Sequence, residues 1–298
     1  MRIYAVIVTY NGMQHQWIER CLESLRESSL EVTPIVIDNL STDGTREFVP
    51  CHYPDAIWMP QERNLGFGQA NNIGIKYALD HNADFVLLLN QDATISRNAL
   101  ELMAAASDGE SLLSPVHLNG DGTRLDEMFR IALKPKDELF YAHLLMGKEL
   151  KASYETEEIC AACWLLPVKV IRKIGGFNPL FFHYGEDNNY YQRLVYHKTK
   201  TLLVPNATMC HDRTFYGNEK AFNKNRYHRD VLLITTNINF SFSKVLFQLA
   251  RLLFRTYSYD RSHYKIGSFA KEMIWTTIHL SSIRNSRRTD KRDGTSWL

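Results

Sequence analysis

A chain of 298 residues, 45% hydrophobic and 23% charged, is long enough to bury a core without disulfide or metal staples. Its net charge of +2 provides no global field for nucleic acid, which excludes nucleic-acid binding as its organising function. Five cysteines, an odd number, argue against a disulfide framework and predict a reducing, cytoplasmic compartment.

Ile3–Thr9 is a short β-branched run, the pattern of a strand buried on both faces. The chain enters it directly from Met1, so no signal peptide is expected. Trp17, Ile18, Cys21, Leu22 and Leu25 recur at helical spacing. Buried strands are expected at 34–37, ending at Asp38, at 57–59 and at 84–89, with a helix over 68–79 before the last of these. Strands alternating with helices predict an α/β fold with a mostly parallel central sheet. Residues 119–158 mix charge, Gly and Pro with weak periodicity and predict an insertion over one face. Apolar order returns at 161–167, followed by helices over Val168–Ile174 and 186–197 and a last main strand at 200–204, closed by Pro205. From about 218 the strand signals vanish and helical ones take over, which puts a boundary near 215. Cys160 and Cys163 have redox or zinc spacing, but no second pair completes a zinc site, and their apolar neighbours predict an inert strand. No run reaches the ~20 consecutive apolar residues of a spanning helix.

The polar clusters fall at strand ends. Thr9-Tyr10-Asn11 closes the first strand, 38–45 (DNLSTDGT) the second, and Asn90-Gln91-Asp92 the fourth; His211-Asp212 follows the last. Open α/β sheets bind ligands beyond the carboxyl ends of their strands, so these clusters predict one wet crevice. Taken singly each has a plainer reading: residues 38–45 suit a turn and helix cap, and a lone His211 is more often structural. A carboxylate leaving an apolar strand, Asp92, is well placed to hold Mg²⁺ or Mn²⁺ against a diphosphate. No GxxxxGK[ST] loop is present and no GxGxxG follows the first strand, which disfavours phosphate-loop hydrolases and dinucleotide dehydrogenases. The 64–72 loop (NLGFGQANN) still suits close backbone approach.

With VIVTYN (6–11), DNLSTDGT (38–45), NLGFGQANNIGI (64–75), LLLNQD (87–92) and GGFNPLFFHYGEDNNYYQR (175–193), the chain resembles glycosyltransferase family 2, especially its rhamnosyltransferase-like bacterial branch. The motifs cover residues 1 to about 215. The resemblance implies a GT-A fold, the nucleotide-diphospho-sugar transferase fold, as a catalytic domain over 1–215 with a nucleotide-sugar-binding half (1–118) and an acceptor-binding half (119–215). A helical C-terminal extension would occupy 216–298. Thr9, Tyr10, Asn11 and Asp38 would surround base and ribose, Asp38 accepting from a pyrimidine, with Asn39 and Asp43 in the same cluster. Asn64 and Gly66 would line the donor pocket beside Asn90 and Gln91. Asp92 matches the metal-binding carboxylate, with His211 a further ligand for Mg²⁺ or Mn²⁺. Asp187 matches the catalytic base, Glu186 orients acceptor or backbone, and Arg193 is an ion-pair partner or phosphate contact. The chain departs from the pattern at Asn90 and Gln91, which are not acids, and at Asn189, where the family has a second acid.

Lys244, Gln248, Arg251 and Arg255 recur at helical spacing among Val245, Leu246, Phe247, Leu249, Leu252, Leu253 and Phe254. That composition suits an interfacial membrane helix; packing on the catalytic domain or a homodimer interface are the alternatives. Basic residues between Arg284 and Arg292 add affinity for anionic lipid. The expected function is inverting transfer of a sugar, rhamnose on the resemblance alone, from a nucleotide-diphosphate donor to a saccharide acceptor, polyprenyl-linked, at the inner face of the plasma membrane. The rivals are a sugar-1-phosphate nucleotidyltransferase and a sugar-nucleotide or glycan-binding protein without catalysis.

Overall fold

The computed structural model describes residues 1–213, 226–259 and 266–298. Strand β1 (Ile3–Thr9) sends Ile3, Ala5 and Ile7 into one core and Val6 into the other, as the period of two requires. It pairs in parallel with β2 (Thr33–Asp38) and β4 (Phe85–Leu89), and β3 (Ile57–Pro60) lies outside β2. Helix α1 (Trp17–Arg26) turns Ile18, Cys21, Leu22 and Leu25 into the first core, and α2 (Thr45–His52) adds Val49. Helix α3 (Gly66–Asp80) covers the opposite face with Ala70, Ile75 and Ala78. A Cβ at Gly74 would come within 2.5 Å of Val6, so glycine lets α3 lie directly on β1.

Beyond β4 follow β5 (Ala93–Ile95), α4 (Ala99–Ala105), β6 (Leu112–Asn119), α5 (Glu127–Ala132), α6 (Leu139–Leu145) and β7 (Tyr154–Thr156). Then come β8 (Cys163–Pro167), α7 (Val168–Ile174), α8 (Glu186–Tyr196) and β9 (Thr201–His211). The sheet order is β3-β2-β1-β4-β8-β6-β9-β5, with β7 on β9. It is parallel over its first four strands and mixed beyond them, because β8 runs against β4 and β6. Cys163 sits in β8 with a thiol that burial keeps protonated, in keeping with an inert strand.

Two strands differ from the sequence-based expectation. Strand β6 breaks its apolar run with Ser114 and Pro115, and β9 continues through Pro205 to His211 instead of stopping at Val204. The reason is a register shift: Pro115 pairs Val204 and Val116 already pairs Thr208, so both prolines lie at a bulge. The weakly periodic 119–158 stretch forms α5, α6 and β7 around a small core of Phe129, Phe140, Tyr154, Ile159 and Leu203.

The C-terminal part is helical, with α9 (Arg226–Thr236), α10 (Phe242–Tyr259), α11 (Ile266–Ile278) and α12 (Leu280–Asp290). The boundary expected near 215 lies outside the described residues. The chain then returns to the catalytic half: Gly176 N donates to Ser296 O at 2.8 Å, and Asn72 Nδ2 to Trp297 O at 3.1 Å. Among the described residues no helix is long and apolar enough to cross a membrane.

Candidate active site

Register brings the polar clusters together. Thr9 pairs Asp38 across β1 and β2, and β4 ends beside β1, so the first three clusters share one edge. Ala93 pairs His211, which sets Asp92 next to the end of β9, and Asp212 N donates to Asp92 O at 2.9 Å.

On the nucleotide side the buried Thr9 hydroxyl donates to Gln91 Oε1 at 2.7 Å, and Gln91 Nε2 returns a bond to Tyr10 O at 3.1 Å. Tyr10 is 49% exposed. Asn11 sits at φ 53° and clips the second loop, accepting from Thr42 N at 2.9 Å while its own amide donates to Ser41 Oγ. Asp43 accepts from Met13 N and Gln14 N and ties the same two loops together. Asn39 donates to Asn64 Oδ1 at 2.9 Å and accepts from Leu65 N, fixing the turn into α3. Gly66 closes that turn at φ +77°, and a Cβ there would lie 1.9 Å from the Phe182 carbonyl.

Two of the expected site residues lie inside the fold. Asp38 has no exposed surface; Arg46 Nε donates to its Oδ2 at 2.6 Å and Ser41 N to its Oδ1 at 3.1 Å. Both of its oxygens are taken up by these partners. Arg193 is fully buried away from the crevice, donating to the carbonyls of Ile174 and Gly176 and lying 3.7 Å from Asp290. Its place six residues along α8 turns it inward onto Tyr190, and of the two expected roles the one it takes here is ion-pair partner, to Asp290.

On the metal side His211 Nε2 lies 3.3 Å from Asp92 Oδ1, both side chains almost fully buried. Asn90 Nδ2 lies 3.4 Å from the same nitrogen, and its buried Oδ1 has no hydrogen-bond partner. Neighbouring donors on an octahedral cation with ~2.1 Å bonds stand about 3.0 Å apart, so the Asp92–His211 spacing fits a shared Mg²⁺ or Mn²⁺. Among the described residues no three His, Cys, Asp or Glu side chains gather to hold a metal alone. The set therefore suits an ion whose remaining positions belong to a diphosphate and water. Behind it, Asp126 caps α5 by accepting from Phe129 N and takes Arg213 Nε at 2.7 Å, with His211 Nδ1 3.9 Å away. Sequence reasoning missed Asp126 and Arg213, which lie on segments without readable periodicity.

The third group is acidic. Gly185, at φ 97°, starts α8 so that Glu186 and Asp187 occupy its first turn. Burial and then Asp187 push Glu186 up to about 8. Burial raises Asp187 too, against the pull of the Asn188 and Ala161 amides. Glu158, also missed, joins them: Asn188 Nδ2 donates to its Oε1, and burial and Asp187 push it up to about 7. Tyr184 precedes this turn in the chain. Its backbone is left-handed at φ 68°, and burial, Glu186 and Asp92 raise its phenol while Arg213 and Arg229 lower it. A cavity of about 310 Å³ lined by Lys169, Lys173, Lys198 and Lys200 opens at the opposite strand ends and holds none of these residues.

A sheet parallel over four strands and mixed beyond, with its polar clusters on one edge and an Asp92–His211 pair at the cation spacing, is the arrangement of a GT-A fold. The match to the family described as Glycosyl transferase family 2 runs over residues 4–175, more than half the chain, and the chain belongs to that family. It is 25% identical over 256 residues to an N-acetylglucosaminyl-diphospho-decaprenol L-rhamnosyltransferase of Mycobacterium tuberculosis, covering 76% of this chain and 82% of that one. Over 160 residues it is 29% identical to the low-salt glycan biosynthesis hexosyltransferase Agl10 of Haloferax volcanii, 51% of this chain and only 50% of the relative. Among solved structures, S. aureus TarS 1-349 in complex with UDP-GlcNAc is similar at TM-score 0.57 and 18% identity, covering 98% and 90% of the two chains. GalNAc-T7 with UDP, GalNAc and Mn²⁺ is similar at TM-score 0.64 and 14% identity, covering 100% and 55%.

Proposed function

We propose that this family-2 glycosyltransferase is inverting and metal-dependent, and moves rhamnose from a deoxythymidine-diphosphate carrier to a hydroxyl of a lipid-linked saccharide in surface-polysaccharide assembly. The observation that carries the reading is the Asp92–His211 pair, spaced for a shared cation where β5 meets the end of β9, in a chain whose α8 opens with the Glu186–Asp187 acidic turn. The names of the mycobacterial relative and of a dTDP-rhamnosyl transferase RfbF of Shigella flexneri, 30% identical over 40% of each chain, support the sugar. The decaprenol-linked acceptor in the former's name supports a lipid-linked acceptor and peripheral contact with the inner membrane face.

In this mechanism Asp187 accepts the proton of the acceptor hydroxyl as that oxygen bonds to the anomeric carbon and the bond to the diphosphate breaks. Glu186, raised to about 8, holds its proton at neutral pH and Glu158, raised to about 7, holds its own below that; in this form both orient the acceptor by donating hydrogen bonds. Asp92 and His211, with Asn90, would hold the cation, which when bound offsets charge on the leaving diphosphate. An imidazole in the set favours Mn²⁺ over Mg²⁺. Thr9, Gln91, Asn39 and Asn64 keep the crevice shaped for the nucleotide.

The test is thermal stability against nucleotides and nucleotide sugars with and without Mn²⁺, beside turnover. Deoxythymidine diphosphate with Mn²⁺ at a hundredfold excess over its Kd should stabilise the fold by about 2.7 kcal/mol. Asp187→Asn should keep that shift and lose transfer by a factor of about 100 or more. No shift with any nucleotide, or full transfer by the variant, defeats the reading.

A further inference from the structure

Helix α10 wears its apolar side outward. Phe242 is 77% exposed, Leu246 52%, Phe247 64% and Phe254 68%. Phe242, Leu246, Ala250 and Phe254 follow one another a turn apart, with Phe247 beside them. Lys244, Arg251 and Arg255 run along the adjoining edge of the same exposed arc. The remaining side, Val245, Gln248, Leu249, Leu252 and Leu253, is buried or half-buried, and the helix packs on α9 and α11. A helix with solvent outside and a core inside is polar on its outer arc, whereas α10 is apolar there as well as within. The neighbouring α11 continues the pattern, exposing Ile274 and Ile278 next to Lys271.

We propose that the exposed face of α10, extended by α11, is a docking surface for an anionic lipid bilayer, with Phe247 and Phe254 inserted among the acyl chains and Lys244, Arg251 and Arg255 on the headgroups. Two observations select lipid. Helix α10 carries no Asp or Glu, so its charged edge complements anionic headgroups along its whole length. A two-fold contact with a second copy would set that cationic row against itself, since isologous interfaces place the same patch on both sides. The helix is too short and polar to cross, which leaves it lying in the interface. This surface deepens the lipid-linked part of the function proposed above and rests on it for its purpose. Vesicle binding is read without turnover, so a chain that binds vesicles and transfers nothing loses the function and keeps the surface.

The experiment is co-sedimentation of the full chain with vesicles of phosphatidylglycerol and phosphatidylcholine, and with phosphatidylcholine alone, beside size-exclusion chromatography. The chain should sediment with the anionic vesicles and stay largely in the supernatant with neutral ones. Phe247→Ser with Phe254→Ser should weaken vesicle binding about tenfold or more. Lys244→Glu with Arg251→Glu should weaken it at least about fivefold per site while leaving the apolar face whole. All four positions are exposed, so unchanged circular dichroism should accompany both losses. Absence of wild-type sedimentation, or variants that sediment like wild type, overturns the proposal. So does a wild-type dimer that the phenylalanine variant turns into a monomer without any lipid binding, for then a second copy covers the face.

Discussion

Three carboxylates gather at the first turn of α8, and burial disfavours the ionised form of each. Glu186 is raised from an ordinary 4.5 to about 8, so across that range the native chain holds a proton that the unfolded chain has released. The stability it contributes is complete below about 4.5 and is lost as pH rises through about 8. Wild type should therefore lose melting temperature relative to Glu186→Gln as pH rises from about 5 to about 9; a constant gap would show that burial does not act on this group. Activity runs the other way, since transfer needs Asp187 ionised. Glu158 keeps its proton while Asp187 ionises, so Glu158→Gln should leave the rising limb of kcat/KM within about half a pH unit of wild type. An acidward shift of about one unit would mean that Glu158 carries its charge beside the base. Glu186 and Asp187 are legible in the sequence because they stand in a motif before a helix. Glu158 is not, because beside Glu155 and Glu157 it looks like one more charge on a solvated stretch, and only the fold carries it to α8. Arg193 is legible only as a choice between an ion pair and a phosphate contact, and helical phase, which sends it into the core beside Asp290, selects the ion pair.

At the scale of elements, β1, β2 and β4 read correctly because they are buried and carry unbroken apolar runs. Helices α1 and α3 do so because their apolar residues keep helical spacing, and the half-buried β3 because its short run is apolar. Helix α2 is legible only as a cap. Strands β6 and β9 do not read correctly, since Pro115 and Pro205 look like terminators until the bulge between them is seen. His211 owes its place beside Asp92 to that continuation of β9. The turn into α3 has the opposite character: Gly66 is legible as a glycine that permits close approach, and the approach is made by the 175–185 loop. With a left-handed φ and a Cβ 1.9 Å from the Phe182 carbonyl, Gly66→Ala has no relaxed solution. It should cost about 2–4 kcal/mol and displace Tyr184, lowering transfer more than nucleotide affinity. Calorimetry with transfer assays checks this, and an alanine variant of wild-type stability would mean that the loop yields freely.

Across the whole molecule, the division into a catalytic domain and a helical extension is a feature of chain order, and we propose that it is not a division of stability. Asp290, at the end of α12, gathers contacts from both parts. It accepts from Asn178 Nδ2 at 3.2 Å and Trp297 Nε1 at 2.8 Å, lies 3.7 Å from Arg193, and offers its carbonyl to His197 Nε2 at 2.8 Å. Leu298 packs on the second core, and Ser296 leaves no room for a side chain at Gly175. The segment so held leads directly to the loop that carries Tyr184 and the acidic cluster. Asp290→Ala leaves the Arg193 guanidinium buried without its carboxylate, which costs about 3–5 kcal/mol when a buried pair loses one partner. Because that pair joins the two parts, the loss should lower a single calorimetric transition as a whole and reduce transfer with it. Two resolved transitions in the wild type, or a variant in which only an early minor transition moves while transfer survives, would mean that the C-terminal helices fold as a separate unit resting on the catalytic half.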